Sequence, residues 1–322
     1  MNDDFNATPV RHNMQTLSFY NIENLFDLTD NRHTNDNDFL PESVKRWTPK
    51  RYMNKLHKVG YAISRIGQQE TGKPPAIVGL AEIENARVLN DLLASKHLED
   101  LNYDYVHFDS LDERGIDVAI LYDTKVFKVM HSETFRVELY NDDGFPDYTR
   151  DILLVAGMLD GETIHFIINH WSSRREGQQE TEFKRLAASQ KVSDIINDIT
   201  TKDKAARIVI MGDFNDSPQN DSVKQLVQHH DLYNPFETLR SFTRGTVKHQ
   251  RQWYVFDQIL ISTNFFKSSK ADFEFFKADI FDADFLKLFN GPFKGSPFRT
   301  YVGKTYKGGY SDHFPVYTIL KR

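Results

Sequence analysis

The chain contains no cysteine. That absence removes disulfides, thiolate metal ligands and cysteine nucleophiles together, so any bound metal has to be held by oxygen or imidazole. It does not choose a compartment. No run approaches the roughly 20 apolar residues of a membrane helix, and residues 1–8 are polar and acidic, without the charged start and apolar centre of an export signal. The sequence as given therefore reads as cytoplasmic with no membrane span, and a processed N-terminus would suit a secreted or periplasmic protein. Three signatures are also missing: G-x-S-x-G for a serine hydrolase, G-x-G-x-x-G for a dinucleotide site, and a phosphate loop ending in GK[ST]. A formal charge of -6 argues against a surface that is basic all round for nucleic acid, while leaving room for local patches. Two occur, 45-KRWTPKR-51 and 174-RR-175, and such runs are ordinarily solvated helix faces or loops. Nothing marks an obligate protein partner, a repeat or a linker.

What is present is a series of short apolar runs rich in β-branched and aromatic residues: 16-TLSFY-20, 76-AIVGLA-81, 117-DVAILY-122, 152-ILLVAGML-159, 164-IHFIIN-169, 207-RIVIM-211, 257-DQILIS-262 and 314-FPVYTIL-320. Their length and content predict buried strands. Helical spacing appears between some of them. One helix begins at Thr48-Pro49 and carries Tyr52, Leu56, Val59, Ile63 and Ile66. Another starts near Thr181, with Phe183, Leu186, Ala187, Ile195, Ile196 and Ile199 on one face, and shorter ones follow Asn220 and span 85–95. Strands without regular βαβ alternation predict two packed sheets covered by helices, not one doubly wound sheet. Length alone permits one large domain or two smaller ones. Residues 264–309 hold ten of the 25 phenylalanines. They read as a hydrophobic cluster under a long connection or as a substrate-facing arm.

The chemistry sits at the ends of the strands. Asn21 and Glu23 follow the first run, Glu82 and Glu84 the second, His170 the fifth, Asp213 and Asn215 the sixth; Asp117, Asp257 and the pair Asp312-His313 precede others. Each alone is ordinary turn chemistry. If the second group of strands runs antiparallel to the first, all these residues reach one rim. Gathering so many acceptors in one place requires a compensating cation, and an oxygen-rich set without sulfur selects magnesium, manganese or calcium. A hard cation beside histidines suits hydrolysis of phosphate esters.

In order along the chain, 19-FYNIEN-24, 79-GLAEIEN-85, 114-RGIDVAILY-122, 169-NHWSSR-174, 211-MGDFND-216, 257-DQIL-260 and 310-YSDHFPV-316 resemble the motifs of the endonuclease/exonuclease/phosphatase superfamily. The likeness is nearest to its bacterial nuclease-like branch, and pancreatic-type deoxyribonuclease is a distant relative. The resemblance implies an α/β (α+β) fold, a four-layer αββα sandwich of two mixed β-sheets flanked by helices, in a single domain over 1–322 with 1–14 flexible. It implies a Mg2+ site, with Mn2+ or Ca2+ as substitutes, formed by Asn21, Glu82 and Asp312 with Glu84 as a helper. It gives Asp213 the role of positioning or deprotonating the attacking water, Asn215 that of steadying it or the phosphate, and His313 that of the catalytic histidine oriented by Asp257. His170 would touch the phosphate or leaving oxygen. Arg114 would contact phosphate or bridge the rim, with Asp117 in the same motif. The implied activity is that of a nuclease on nucleic acid. A phosphatase or phosphodiesterase for lipid headgroups, inositol phosphates or nucleotides is the alternative, and a non-catalytic phosphate-binding scaffold would need one of these positions to have decayed.

Overall fold

The computed structural model describes residues 14–31, 34–266 and 272–322. The stretch expected to be flexible lies outside them apart from Met14, which is buried at the start of the first strand. Along the chain come β1 (Met14–Leu25), α1 (Pro49–Arg65), α2 (Gln68–Thr71), β2 (Ile77–Ile83), α3 (Ala86–Leu93), β3 (Tyr103–His107), β4 (Asp117–Asp123) and β5 (Phe127–Phe135). Then follow β6 (Ile152–Leu159), β7 (Glu162–His170), α4 (Glu182–Lys202), β8 (Arg207–Asp213), α5 (Asp221–His229) and β9 (Leu232–Tyr233). The hairpin β10 (Val247–His249) and β11 (Gln252–Tyr254) precedes β12 (Asp257–Ser262), β13 (Glu274–Ile280), the short β14 (Tyr301–Val302) and β15 (Thr305–Tyr306), and β16 (Val316–Lys321).

Two six-stranded sheets form, in the orders β13-β16-β1-β2-β4-β3 and β5-β6-β7-β8-β12-β9. Both are mixed. β1 and β2 are parallel, as are β7 and β8, whereas β4, β12 and β16 run antiparallel to their neighbours. The sheets face one another across a core in which Phe19, Ile77 and Ile120 of one meet Phe166, Val209 and Ile259 of the other. α1 and α3 cover the outer face of the first sheet, and α4 and α5 pack on the second over Ile167, Ile208 and Leu260. The result is a four-layer αββα sandwich, because each sheet buries apolar side chains on both faces and each needs a helical cover.

α1 starts as its sequence dictates, with Pro49 in the first turn and Tyr52, Leu56, Val59 and Ile63 buried. α4 departs from expectation. Phe183 is exposed, and the buried face runs through Arg185, Ala188, Ser189 and Val192 before Ile195, Ile196 and Ile199. Arg185 can occupy that face because its Nε meets Asp216 Oδ2 at 2.9 Å and its other nitrogens reach Thr181 Oγ1 and the carbonyl of Gln178. The Phe-rich stretch supplies the edge strand β13 and buries Phe265 and Phe273, while Phe289 and Phe293 remain exposed.

Candidate active site

Antiparallel pairing does at the rim what the strand directions require. Asp257 opens β12 opposite Asp213, the last residue of β8, and Asp213 in turn lies beside His170 at the end of β7. The first sheet brings Asn21 and Glu82 from the parallel pair β1 and β2, and Asp312 and His313 just ahead of β16. Gly212 allows the close approach of β7 to β8, since a Cβ there would stand 2.5 Å from the carbonyl oxygen of Asn169.

Backbone irregularity aims the side chains. Of nine non-glycine residues with positive φ among the described residues, Glu23, Asn24, Glu82 and Asn215 sit at this rim. β2 is bulged at Glu82, between Ala81 and Ile83. A bulge breaks the two-residue alternation that would otherwise send Glu82 and Glu84 to the same face. Glu82 thereby lines the cleft. Glu84 is not among the residues lining it: its Oε2 accepts the backbone N–H of Asp27. Burial, with Asp27 nearby, pushes its carboxyl up to about 8. Asp117 is also elsewhere, accepting from the N–H of Ser110 beside His107 and Asp109.

The remaining residues come together around a cleft of about 740 Å³ lined by Glu82, Arg114, His170, Asp213, Asn215, Asp312 and His313. Asp213 is its hub. Its Oδ2 accepts from Asn21 Nδ2 at 3.1 Å and lies 3.8 Å from His170 Nε2 and 3.9 Å from His313 Nε2; its Oδ1 accepts the N–H of Asn215 at 2.9 Å. The Asn215 amide donates to the carbonyl of Trp171 at 2.9 Å. Glu82 Oε1 stands 3.9 Å from His170 Nε2, while Oε2 accepts the N–H of Asn24 at 2.7 Å. Arg114 spans the rim, donating to Asn24 Oδ1 at 2.6 Å and lying 3.9 Å from Glu82.

His313 Nδ1 meets the fully buried Asp257 at 2.7 Å, and His313 Nε2 lies 4.0 Å from Asp312 Oδ1. Burial disfavours the imidazolium, but Asp257, Asp213 and Asp312 outweigh it and hold the His313 pKa well above the ordinary histidine value. His170 goes the other way, lowered by burial and by the facing Arg150 and Arg114. Burial raises Asp213 to about 7, the nearby Asp257 adding to the shift and His313 opposing it. Burial also opposes ionisation of Asp312, yet His313, Arg299 and Lys55 prevail and hold its carboxyl low.

Three further residues support this group. Arg299, from the Phe-rich stretch, donates to Asp312 Oδ2 at 2.7 Å and to Glu23 Oε1 at 3.4 Å. Glu23 also accepts the N–H of Thr300 at 2.6 Å. Lys55 is buried and donates to Thr300 Oγ1 and to the carbonyl of Tyr310. Glu23 is visible in the sequence at the end of the first apolar run, whereas Arg299 and Lys55 are not singled out there; Lys55 lies on the buried stripe of α1.

Oxygen and imidazole donors thus gather at one end of a four-layer sandwich. The chain belongs to the endonuclease/exonuclease/phosphatase family, whose model matches residues 16–322. No curated protein matches the sequence. Among solved structures, an endonuclease/exonuclease/phosphatase family protein from Bacteroides thetaiotaomicron has a TM-score of 0.60 at 18% identity, covering 95% of this chain and 97% of that one. The mannosyl-6-phosphatase of the same organism has a TM-score of 0.58 at 17% identity, covering 96% and 100%. D. rerio TDP2 complexed with a single-strand DNA product has a TM-score of 0.56 at 13% identity, covering 96% and 99%. Members of this family are hydrolases of phosphoester bonds and use divalent metals, and the buried Asp213, Asp257 and His313, with ligand atoms within 4.8 Å of one another, form a group that could hold one. Among the described residues no helix is long and apolar enough to cross a membrane.

Proposed function

We propose that the protein is a divalent-metal-dependent phosphodiesterase that cleaves nucleic acid. The observation that carries this reading is the Asp213 hub, where a carboxylate raised to about 7 faces two histidines pushed in opposite directions. Groups with separated proton affinities divide the work of acid and base.

The residues present fit a hard cation. The contact between His313 Nδ1 and Asp257 is a hydrogen bond at 2.7 Å, so that pair orients an imidazole, and Glu82, Asp312 and Asn21 Oδ1, which also accepts the N–H of Glu23, would hold the cation. Among the described residues no hydrogen bond is made to Glu82 Oε1, and Asp312 is held through Oδ2 by Arg299, so both carboxylates face the cleft. A bound cation there supplies charge neutralisation for the phosphoryl and leaving oxygens. Asp213 takes the proton of the attacking water as its oxygen bonds to phosphorus and the phosphorus–leaving-oxygen bond breaks. Asn215 holds that water or a phosphoryl oxygen. His313, cationic and fixed by Asp257, gives its Nε2 proton to the leaving oxygen as the bond to phosphorus breaks. His170 is neutral, and its buried Nδ1 has no partner, so the proton belongs on Nε2, facing the cleft as a donor.

Nucleic acid is the favoured substrate because the cleft extends past the reacting groups, along Arg114 and Arg174, to His249, Gln250 and Tyr254 of the β10–β11 hairpin, more length than a lone phosphomonoester would use. Plasmid, single-stranded DNA, RNA and small phosphodiesters with Mg2+, Mn2+ or Ca2+, and chelator as control, form the test. Cleavage of nucleic acid abolished by chelator supports the reading. Turnover confined to sugar, lipid or inositol phosphates would replace it.

A further inference from the structure

Two basic stretches, 45-KRWTPKR-51 and 174-RR-175, remain without a task. The structure splits the second. Arg174 is engaged, donating to the carbonyl of Asn215 at 2.6 Å and to Asp216 and Asn220. Arg175 is exposed, and among the described residues no carboxylate or carbonyl pairs with it. It stands where three cavities meet: the catalytic cleft and two smaller recesses of about 180 and 200 Å³, both lined by Asn24, Phe39, Lys45 and Arg175.

Lys45, from the other basic stretch, is built into this annex. Its carbonyl accepts from Arg51 and from the Tyr301 hydroxyl, the latter at 3.1 Å, which pins the backbone. Its ammonium lies 3.8 Å over the Phe39 ring and 3.4 Å from Asp38, and its side chain is 19% exposed. The recesses hold Lys45, Arg114, Arg175 and Arg299 against only Glu23 and Asp38. Burial keeps the Lys45 pKa below the usual lysine value; Asp38 opposes the shift, and Arg175 and Arg114 add to it. Glu23 is already taken by Arg299 and the Thr300 N–H. Arg114 lines both the cleft and one recess, so the annex begins one side chain away from Glu82.

We propose that Lys45 and Arg175 form a second anion subsite, which holds a phosphate that is not cleaved. The substrate class that fits is a nucleic-acid strand with successive phosphodiesters, one at the Asp213 hub and another in the annex. This rests on reading the hub as a phosphodiesterase centre. Cations placed in this way add a salt-sensitive contact for each phosphate they neutralise, with a slope of about 0.7 in log affinity against log salt for single strands.

The test compares dithymidine with one phosphate and tetrathymidine with three, binding to the metal-free full-length protein in chelator. Turnover of bis(4-nitrophenyl) phosphate with Mg2+, Mn2+ or Ca2+ is measured in parallel. Wild-type protein should bind tetrathymidine about tenfold tighter than dithymidine or better. The double variant Lys45→Ala with Arg175→Ala should bring that ratio below about threefold, with a salt slope smaller by about 0.7 for tetrathymidine. Dithymidine binding and bis(4-nitrophenyl) phosphate turnover should be unchanged. Arg175→Ala alone removes no paired group and guards against misfolding of the double variant; it should lose part of the ratio. A wild-type ratio below about threefold overturns the subsite. So does equal weakening of both strands, or loss of bis(4-nitrophenyl) phosphate turnover in the variants. No turnover by wild-type protein with any metal would sink the hydrolytic reading instead, and the binding ratio would still decide the subsite.

Discussion

Replacing Asp257 with asparagine removes one negative charge from the fully buried position behind His313 and changes little in shape. Asp257 Oδ2 sits 2.7 Å from His313 Nδ1 and is the largest influence raising the imidazole pKa, against the pull of burial. In the variant, Asp213 at 3.9 Å and Asp312 at 4.0 Å still face the ring. The imidazolium is weakened, not abolished, and the asparagine no longer dictates which ring nitrogen carries the proton. Groups of this kind are worth about 10²- to 10⁴-fold in rate. With two carboxylates remaining we expect the lower half of that range, about 3 to 4 kcal/mol of barrier. The assay is kcat for bis(4-nitrophenyl) phosphate with Mg2+ from pH 5 to 9, with NMR titration of the His313 ring in metal-free protein. The His313 pKa should fall and the alkaline limb of the rate profile should move to lower pH. A folded variant with turnover within about threefold of wild type, or an unmoved His313 titration, would refute the role given to this pair.

Glu82→Gln should cost about a hundredfold in turnover and raise the metal concentration required, whereas Glu84→Gln, which imitates the protonated acid expected at neutral pH, should leave both unchanged. Equal losses in the two variants would show that the bulge does not separate their roles. Metal-free protein should lose thermal stability as the pH rises from 6.5 to 8. In the folded chain His313 lies well above its ordinary value, Asp213, Glu23 and Asp117 rise to about 7, and Glu84 to about 8, so the native state holds more protons than the unfolded state there. Added divalent cation should raise the melting temperature more at pH 8 than at 6.5; a melting temperature that climbs with pH in chelator would contradict the sign. Arg299→Gln should lower kcat by about tenfold with the fold retained by circular dichroism, because Asp312 loses the partner that fixes its orientation. An unaltered kcat would leave that orientation to the backbone alone.

Each of the eight apolar runs found in the sequence is an interior strand: β1, β2, β4 and β16 of one sheet, β6, β7, β8 and β12 of the other. The edges β3, β5, β9 and β13 escaped notice. An interior strand is covered on both faces and flanked on both sides, so it must be apolar throughout. β5 and β13 are only partly buried along their length and accept residues such as Lys128, Glu133, Glu274 and Lys277. The same logic explains α4, where a buried arginine satisfied by Asp216 breaks the hydrophobic pattern.

The candidate site residues divide along a similar line. Asn21, Glu82, His170, Asp213, Asn215, Asp257, Asp312 and His313 could be read from the chain because each adjoins a buried strand, and a strand end has only two rims to choose from. Sequence alone determined which residues are fixed to rigid supports and which ions their oxygen and imidazole chemistry admits. Tertiary structure decided that Glu82 turns in while Glu84 turns away, that Arg299 reaches Asp312, and that Lys45 and Arg175, 130 residues apart, line the same recesses. Bulges, left-handed backbone angles and the approach of distant loops settle those outcomes, and they depend on packing between segments that carry no mark of one another in the linear chain.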